Sequence, residues 1–224
     1  MQVYIDKVGI KLKAKIGKIL SFGGLAVMVI ALLLSMSKPE YINTIFILAM
    51  IGLFSSQIGI GMINRWSRQP RVDEMIAASV KGLDSNFHLF QFKLGADHVL
   101  VSPTGVYSLI PALDNGKVLY EDGKWYSLKT KKNNKTKKTK NRDLAAQIER
   151  NIGAARKKFK SVLPETVVTL TPIVVFLHRD AEVNLENAPV LCVHQKKIKP
   201  LLRKLPKGSP LSEEDTSRLI EQFS

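Results

Sequence analysis

The 224-residue sequence contains one cysteine, Cys192, and four histidines. A single cysteine cannot form an internal disulfide, and such cysteine usage is typical of proteins in a reducing compartment. The sequence also has no Cys/His cluster with zinc-ligand spacing and no glycine-rich phosphate loop. These absences argue against the common zinc modules and nucleotide-binding loops. Cys192 lies in an apolar run (residues 189–193), which predicts a core residue.

Charge is missing from two long stretches near the N-terminus. Residues 19–36 and residues 42–63 contain no charged side chain over 18 and 22 positions. A helix rises about 1.5 Å per residue, so each stretch is long enough to cross the roughly 30 Å hydrocarbon core of a bilayer. We therefore predict transmembrane helix 1 (19–36) and transmembrane helix 2 (42–63), joined by a tight turn at Pro39. The alternatives are a buried helical pair in a soluble core and a cleaved signal peptide.

Acidic residues are scarce, with 19 Asp and Glu against 34 Lys and Arg and a net charge of +15. Basic residues cluster before the first apolar stretch and after the second one: Lys7, Lys11, Lys13, Lys15, Lys18, Arg65, Arg68 and Arg71. Positive flanks remain on the cytoplasmic side. We expect a multi-pass protein of the cytoplasmic (inner) membrane with both termini in the cytoplasm. Residues 1–18 are expected to form a basic amphipathic segment on the inner leaflet or, alternatively, a basic extension of the first helix.

Small residues recur at four-residue spacing in the second apolar stretch, at Gly52, Ser55, Ser56 and Gly59. This spacing lets two helices approach closely, so it predicts either packing of the hairpin against itself or self-association of the protein. Gln57 is the one strongly polar side chain there. We predict that Gln57 makes an interhelical hydrogen bond, because two helices cannot enclose a transport path.

The remainder of the chain predicts an α/β domain over residues 72–205, followed by a C-terminal helical segment at 206–224. Helical periodicity and strand alternation suggest a central mixed sheet flanked by helices. The predicted helices are 72–83, 144–162, 198–205 and 212–223, and the predicted strands are 87–92, 98–101, 106–110, 117–120, 124–128, 167–177 and 190–193.

Residues 129–142 contain basic and polar residues but no acidic or apolar one. A segment of this composition cannot bury a core, so we predict a mobile basic loop. It is a candidate contact surface for nucleic acid or lipid through Lys129, Lys131, Lys132, Lys135, Lys137, Lys138, Lys140 and Arg142.

The order of signals along 72–205 resembles the nuclease-related domain (NERD) family of the PD-(D/E)xK nuclease superfamily. Glu74 lies on a leading helix, the segment "GADHVLVSPTGVYSL" reads as a hairpin, and Gln147 precedes the buried strand "TPIVVF". The resemblance implies a restriction-endonuclease-like mixed-sheet domain flanked by helices. Its most specific piece is "DHVLVSPTGVY", which places Asp97 on the Asp of the family.

Two residues of the nuclease motif are missing. In this superfamily carboxylates on adjacent strands hold Mg²⁺, and a Lys two residues after the second carboxylate orients the water. That spacing puts Glu and Lys on one face of the strand. This sequence has Ile110 and Ala112 at those positions, with Pro111 between them. The resemblance therefore implies a degenerate site whose vestigial candidates are Glu74, Asp97 and Gln147.

Three functions remain open. The first is a membrane-anchored, catalytically inactive NERD-like protein that binds nucleic acid or a partner at the cytoplasmic membrane face. The second is a divergent metal-dependent nuclease that uses Mg²⁺ at Glu74 and Asp97, with relocated charge from Lys117, Glu121 or Asp122. The third is a membrane-surface scaffold that binds anionic lipid and a protein partner. Residues 72–224 hold 25 Lys and Arg against 17 Asp and Glu, a net charge of +8, so the basic excess is not confined to the membrane flanks.

Overall fold

The computed structural model describes residues 1–130, 136–183, 185, 187–206 and 210–223. The chain divides into two compact units. Residues Asp6–Arg71 form the first, which we call the helical hairpin. Residues Met1–Ile5 and Val72–Ser224 form the second, which we call the α/β unit. The hairpin is therefore an insertion between the first strand of the α/β unit and the rest of that unit.

The helical hairpin consists of α1 (Lys7–Ser37), a short 3₁₀ turn (Pro39–Tyr41) and α2 (Ile42–Trp66). Asp6 caps α1, because its carboxylate accepts a hydrogen bond of 2.8 Å from the Gly9 amide. Each predicted apolar stretch lies inside one of these helices. The helices continue past the apolar stretches into the neighbouring polar residues. Each helix is long and apolar enough to cross a membrane.

The two helices pack through residues spaced seven apart. On α1 the buried positions are Ile10, Gly17, Gly24 and Ala31, and on α2 they are Ile45, Gly52, Gly59 and Trp66. A repeat of seven keeps the same face of each helix turned to its neighbour along the full length. We call these eight residues the seam.

Glycine is required in the seam because the two backbones touch there. A β-carbon built on Gly24 would lie 2.5 Å from the Gly52 carbonyl oxygen, and one on Gly59 would lie 2.3 Å from the Ser21 nitrogen. The small residues predicted from sequence therefore pack the hairpin against itself, which is the first of the two alternatives given above.

The outer surface of the hairpin is apolar and exposed. Phe22 is 69% exposed, Phe46 65% and Leu32 62%. Within the most apolar 18-residue windows of the two helices, 11% and 17% of the residues are buried. A helical pair in a soluble core would show the opposite pattern, so this alternative is not supported.

The N-terminal segment differs from its prediction. Gln2–Ile5 is a strand, β1, and not the start of an amphipathic helix. It pairs in parallel with β2 (His88–Gln91), with Gln2 opposite His88. The Tyr4 ring stacks on Phe90 with centroids 4.9 Å apart. Residues 1–18 are thus divided between the sheet and α1.

The main sheet of the α/β unit has six strands in the order β1-β2-β3-β4-β8-β10. Its remaining strands are β3 (His98–Ser102), β4 (Gly105–Ala112), β8 (Leu170–Phe176) and β10 (Leu191–His194). Strands β2, β3 and β4 are antiparallel neighbours, whereas β8 is parallel to both β4 and β10. The predicted mixed sheet is confirmed.

Helices cover both faces of this sheet. On one face, α3 (Val72–Val80) and α5 (Ile198–Lys204) share a core with Tyr107 and Leu109 of β4. On the other face, α4 (Arg142–Val162) packs on Val106, Ile110 and Ala112, and α6 (Glu213–Phe223) joins its core through Leu219. Alternate residues of β4 therefore face opposite helices, as the period of a strand requires.

A second, four-stranded sheet has the order β7-β6-β5-β9. Its strands are β5 (Lys117–Glu121), β6 (Lys124–Thr130), β7 (Thr136–Lys140) and β9 (Glu182–Val183). The basic segment 129–142 is therefore not one mobile loop. Residues 129–130 end β6, residues 136–140 form β7, and Arg142 begins α4. Residues 131–135 lie outside the described part of the chain.

A polar network joins this second sheet to the start of α4. The side-chain nitrogen of Asn141 donates to the Asp114 carboxylate at 3.1 Å. The side-chain oxygen of Asn141 accepts a hydrogen bond from the backbone amide of Leu144. The Ser127 hydroxyl donates to the same carboxylate at 2.8 Å. The N-cap of α4 is thus Asn141.

Candidate functional site

The β3–β4 hairpin and α4 surround the position where the resemblance implied a degenerate nuclease site. Ile110 and Ala112 occupy the face of β4 turned to α4, and they are 0% and 3% exposed. They belong to one apolar cluster with Leu144 and Ile148 of α4. The two positions at which the resemblance implied a Glu and a Lys are therefore part of the hydrophobic core. Pro111 lies within β4 and does not end it.

Asp97 precedes β3 and is half-buried beside α4. Its backbone amide donates to the Asn151 side-chain oxygen at 2.9 Å, and its carbonyl accepts from the Phe92 amide at 2.9 Å. Gly95 allows this loop to lie on the helix, because a β-carbon there would come within 2.4 Å of the Ala154 carbonyl oxygen. Gly95 also has a φ of +81°, which favours glycine.

Gln147 is half-buried on the same helix, one turn before Asn151. Its side-chain nitrogen donates to the Pro111 carbonyl oxygen at 3.3 Å. The backbone carbonyl oxygen of Gln147 accepts a hydrogen bond of 2.9 Å from the Asn151 side-chain nitrogen. Asn151 is 4% exposed and links Asp97 to Gln147. Sequence analysis missed Asn151, although a polar residue four positions after Gln147 on an apolar helix face is a signal that could have identified it.

Glu74 lies in the first turn of α3, where an acidic side chain is favoured by the helix dipole. Helix α3 packs on the face of the sheet opposite α4. The side chain of Gln91 on β2 reaches this helix, since its nitrogen donates to the Asp73 carbonyl oxygen at 2.7 Å. Asp97 and Gln147 are therefore brought together by α4, and Glu74 belongs to the other helical layer.

The described part of the chain contains no group of three or more His, Cys, Asp or Glu residues placed to hold a metal ion. The candidates for relocated charge lie elsewhere, in the hairpin of the second sheet. Lys117, Glu121 and Asp122 are exposed there, and Glu121 forms an ion pair with Lys138. Hydrogen bonding to Glu121 raises the pKa of Lys138, so the lysine stays charged in this pair.

The eight basic candidates have different surroundings. Lys138 and Lys140 are exposed on β7, and the Lys138 ammonium lies 4.3 Å from the centre of the Tyr126 ring. Lys129 and Lys137 lie in strands, and Arg142 begins α4. Lys131, Lys132 and Lys135 lie outside the described residues. Helix α4 adds further exposed basic side chains at Arg150, Arg156, Lys157 and Lys160.

Cys192 lies on β10 and is half-buried, and its thiol donates to the Val190 carbonyl oxygen at 3.5 Å. Burial raises the pKa of this thiol to about 12. Because the thiolate is the reactive form, we expect Cys192 in the folded protein to react with a disulfide reagent at pH 8 far more slowly than in guanidinium chloride. Equal rates in the two conditions would contradict a buried thiol. The prediction of a core cysteine agrees with this environment.

Comparisons with models of protein families, with curated proteins and with solved structures give no match to this chain.

Proposed function

We propose that this protein is a membrane-anchored, nuclease-related binding protein without hydrolytic activity, which binds nucleic acid at the cytoplasmic face of a membrane. The observation that carries the proposal is the burial of Ile110 and Ala112 against α4. A nuclease of this type needs a carboxylate and a lysine at these positions to stabilise charge around its metal ions. Here the same strand face has become part of the hydrophobic core.

The order of elements supports the restriction-endonuclease-like assignment. A leading helix that carries Glu74 is followed by β2, the β3–β4 hairpin, the second sheet, α4 with Gln147 and the buried strand β8. This is the sequence of features on which the NERD resemblance rests. The contact of the Asp97 backbone with α4 is consistent with a family site between α4 and the β3–β4 hairpin.

Two features support the anchor and its orientation. The hairpin exposes large apolar side chains, and α2 at 1.5 Å per residue is about 37 Å long, enough to cross a bilayer core. Both ends of the hairpin also lead into one α/β unit, so both lie on the same side of any membrane that it spans. The basic flanks favour the cytoplasmic side. Lys13 and Arg65 lie 4.6 and 4.9 Å from the Trp66 ring centre, an arrangement suited to a membrane interface.

Nucleic-acid binding is supported by exposed basic side chains on β7 and on α4. No aromatic residue interrupts the basic segment at 129–142, so contacts would go to phosphates and would not depend on sequence. We expect the full chain, in nanodiscs of neutral lipid, to retain labelled single- and double-stranded oligonucleotides at low salt. Retention should fall steeply as the salt concentration rises.

A charge variant localises this contact. Lys138→Gln with Lys140→Gln should reduce the slope of log K against log salt by up to about 2, one unit for each lost phosphate contact. The matched control is Lys196→Gln with Lys197→Gln, which removes the same charge from two exposed residues elsewhere in the α/β unit. An equal effect of both variants would indicate a diffuse charge effect and would contradict a binding surface at β7.

The same samples test the absence of catalysis. With Mg²⁺ or Mn²⁺ added, the oligonucleotides should remain intact, and calorimetry should show no difference between the parent and Asp97→Ala. Cleavage that depends on metal and on Asp97 would refute the proposal and favour the divergent nuclease. Capture by added anionic vesicles without any retention of nucleic acid would instead favour the membrane-surface scaffold.

A further inference from the structure

Gln57 is exposed on α2, in the middle of its apolar stretch. Within the part of the chain that the structure describes, its carboxamide makes no hydrogen bond. The predicted interhelical hydrogen bond is therefore not made within the hairpin. In the lipid that the proposed function implies, an unpaired amide costs free energy, because hydrocarbon offers neither a donor nor an acceptor.

Gln57 belongs to a second repeat of seven on α2. Asn43, Met50, Gln57 and Asn64 are spaced seven apart, and three of the four are carboxamides. All four lie two positions before a seam residue, so they point about 160° around the helix from the seam. Phe54 and Gly61 lie on the same face between them. We call these six residues the amide stripe.

The amide stripe has the pattern of a helix–helix interface. A seven-residue repeat keeps a face turned to a neighbouring helix over its full length, and a polar residue in such a repeat fixes the register. Gly61 leaves open space, because a β-carbon there would meet no atom within 4 Å. A second helix can therefore approach closely one turn from Gln57. Helix α1 occupies the seam and is not available to the stripe.

We propose that the amide stripe pairs α2 with α2 of a second copy of this chain, and that Gln57 hydrogen-bonds to Gln57 of that copy. Two copies in one membrane have the same orientation, so their α2 helices run parallel about a two-fold axis. Each stripe residue then faces its own counterpart. A carboxamide both donates and accepts hydrogen bonds. The side chains of Asn43, Gln57 and Asn64 can therefore each hydrogen-bond to the same residue in the second copy.

Removal of the central amide should weaken the dimer. We expect Gln57→Leu to raise the dissociation constant about 3- to 20-fold, the range that measured hydrogen bonds between membrane helices imply. Gln57→Asn keeps a carboxamide and should retain more of the affinity. The measurement is energy transfer between donor- and acceptor-labelled full chains at several protein-to-lipid ratios in vesicles.

Disulfide cross-linking tests which face of α2 forms the dimer interface. In a Cys192→Ser background, oxidation should join two copies through Gly61→Cys. It should not join them through Ile51→Cys, since Ile51 is 53% exposed but lies about 120° around the helix from Gln57. Equal cross-linking at both positions, or an unchanged dissociation constant for Gln57→Leu, would overturn the stripe as the interface.

The inference rests on the hairpin spanning the membrane, and the two can fail separately. A chain that resists alkaline extraction from vesicles but shows no energy transfer is an inserted monomer, which overturns the dimer and leaves the anchor intact. A chain extracted by alkali contradicts the anchor itself, and the dimer falls with it.

Discussion

Replacement of Ile110 by glutamate should destabilise the α/β unit by at least about 3 kcal/mol at pH 7 and should not create a metal site. Ile110 is 0% exposed and lies among apolar side chains from β8, α4 and the second sheet. An ionised carboxylate there would lose its hydration without gaining a partner, which is among the most destabilising changes in a core. Adding Ala112→Lys would bury a second charge beside it.

Denaturant unfolding followed by Trp125 fluorescence measures this effect, because Trp125 lies in the same cluster. The second tryptophan, Trp66, is replaced by phenylalanine in all samples so that the signal has one source. Leu113→Glu is the matched control. Leu113 follows β4 directly and is 59% exposed, so this change should shift the free energy of unfolding by less than about 0.5 kcal/mol.

The pH dependence gives a second readout. Burial raises the pKa of a carboxyl group above its unfolded value of about 4.3. The stability of Ile110→Glu relative to the parent should therefore be highest below pH 4.3, and it should decline as pH rises through the folded pKa. A variant as stable as the parent at pH 7 that also binds Mg²⁺ would show that the site is open, and would favour the nuclease alternative.

Gly59→Leu should separate the two helices of the hairpin. A β-carbon at Gly59 would lie 2.3 Å from the Ser21 nitrogen and 2.7 Å from the Gly17 carbonyl oxygen. These are backbone atoms of α1, so the strain cannot be relieved by a change of rotamer. We expect a loss of about 1–3 kcal/mol or more in hairpin stability, as in other overpacked interiors.

The distance between the two helices can be measured by pulsed electron paramagnetic resonance. Spin labels are attached to cysteines that replace the exposed residues Leu25 and Leu53 in a Cys192→Ser background. The mean distance should increase in Gly59→Leu, as the axes move towards the roughly 8–10 Å typical of helices with larger contact residues. Gly23→Leu is the control, because a β-carbon at Gly23 meets no atom within 4 Å. If the two variants behave alike, the seam does not hold the hairpin together.

The elements with strong periodicity could be predicted from the sequence. Both apolar helices, the β3–β4 hairpin, α4 and the buried strand β8 lie where the patterns indicated, although α1 begins 12 residues before the predicted span. In each case the hydrophobic pattern of the segment itself determines the structure. The two glycines Gly52 and Gly59 were also identified, since their spacing is visible within one helix.

The failures at β1 and β7 have a common cause, because each strand depends on a partner that local pattern does not reveal. Gln2–Ile5 pairs with a strand that follows the entire hairpin in the sequence. Residues 136–140 have no apolar side chain, and they form a strand by pairing with β6. The Glu121–Lys138 ion pair adds a cross-strand contact there. Composition alone indicated a mobile segment because it carries no information about pairing between strands.

The role of the candidate residues stays a prediction, whereas their positions in the fold are known. The sequence located Asp97 and Gln147, and α4 brings them together through Asn151. It also placed Ile110 and Ala112 at the positions where the resemblance implied a Glu and a Lys. What it could not show was that these two residues are fully enclosed, because burial depends on the packing of α4 across the sheet.

The position of β1 determines when folding of the α/β unit can finish during synthesis. β1 leaves the ribosome before its partner β2, which follows only after both helices of the hairpin. Until the hairpin has folded back, one edge of the main sheet lacks its strand, and open edges recruit strands from other chains. We therefore expect molecules whose hairpin fails to fold to aggregate through β2.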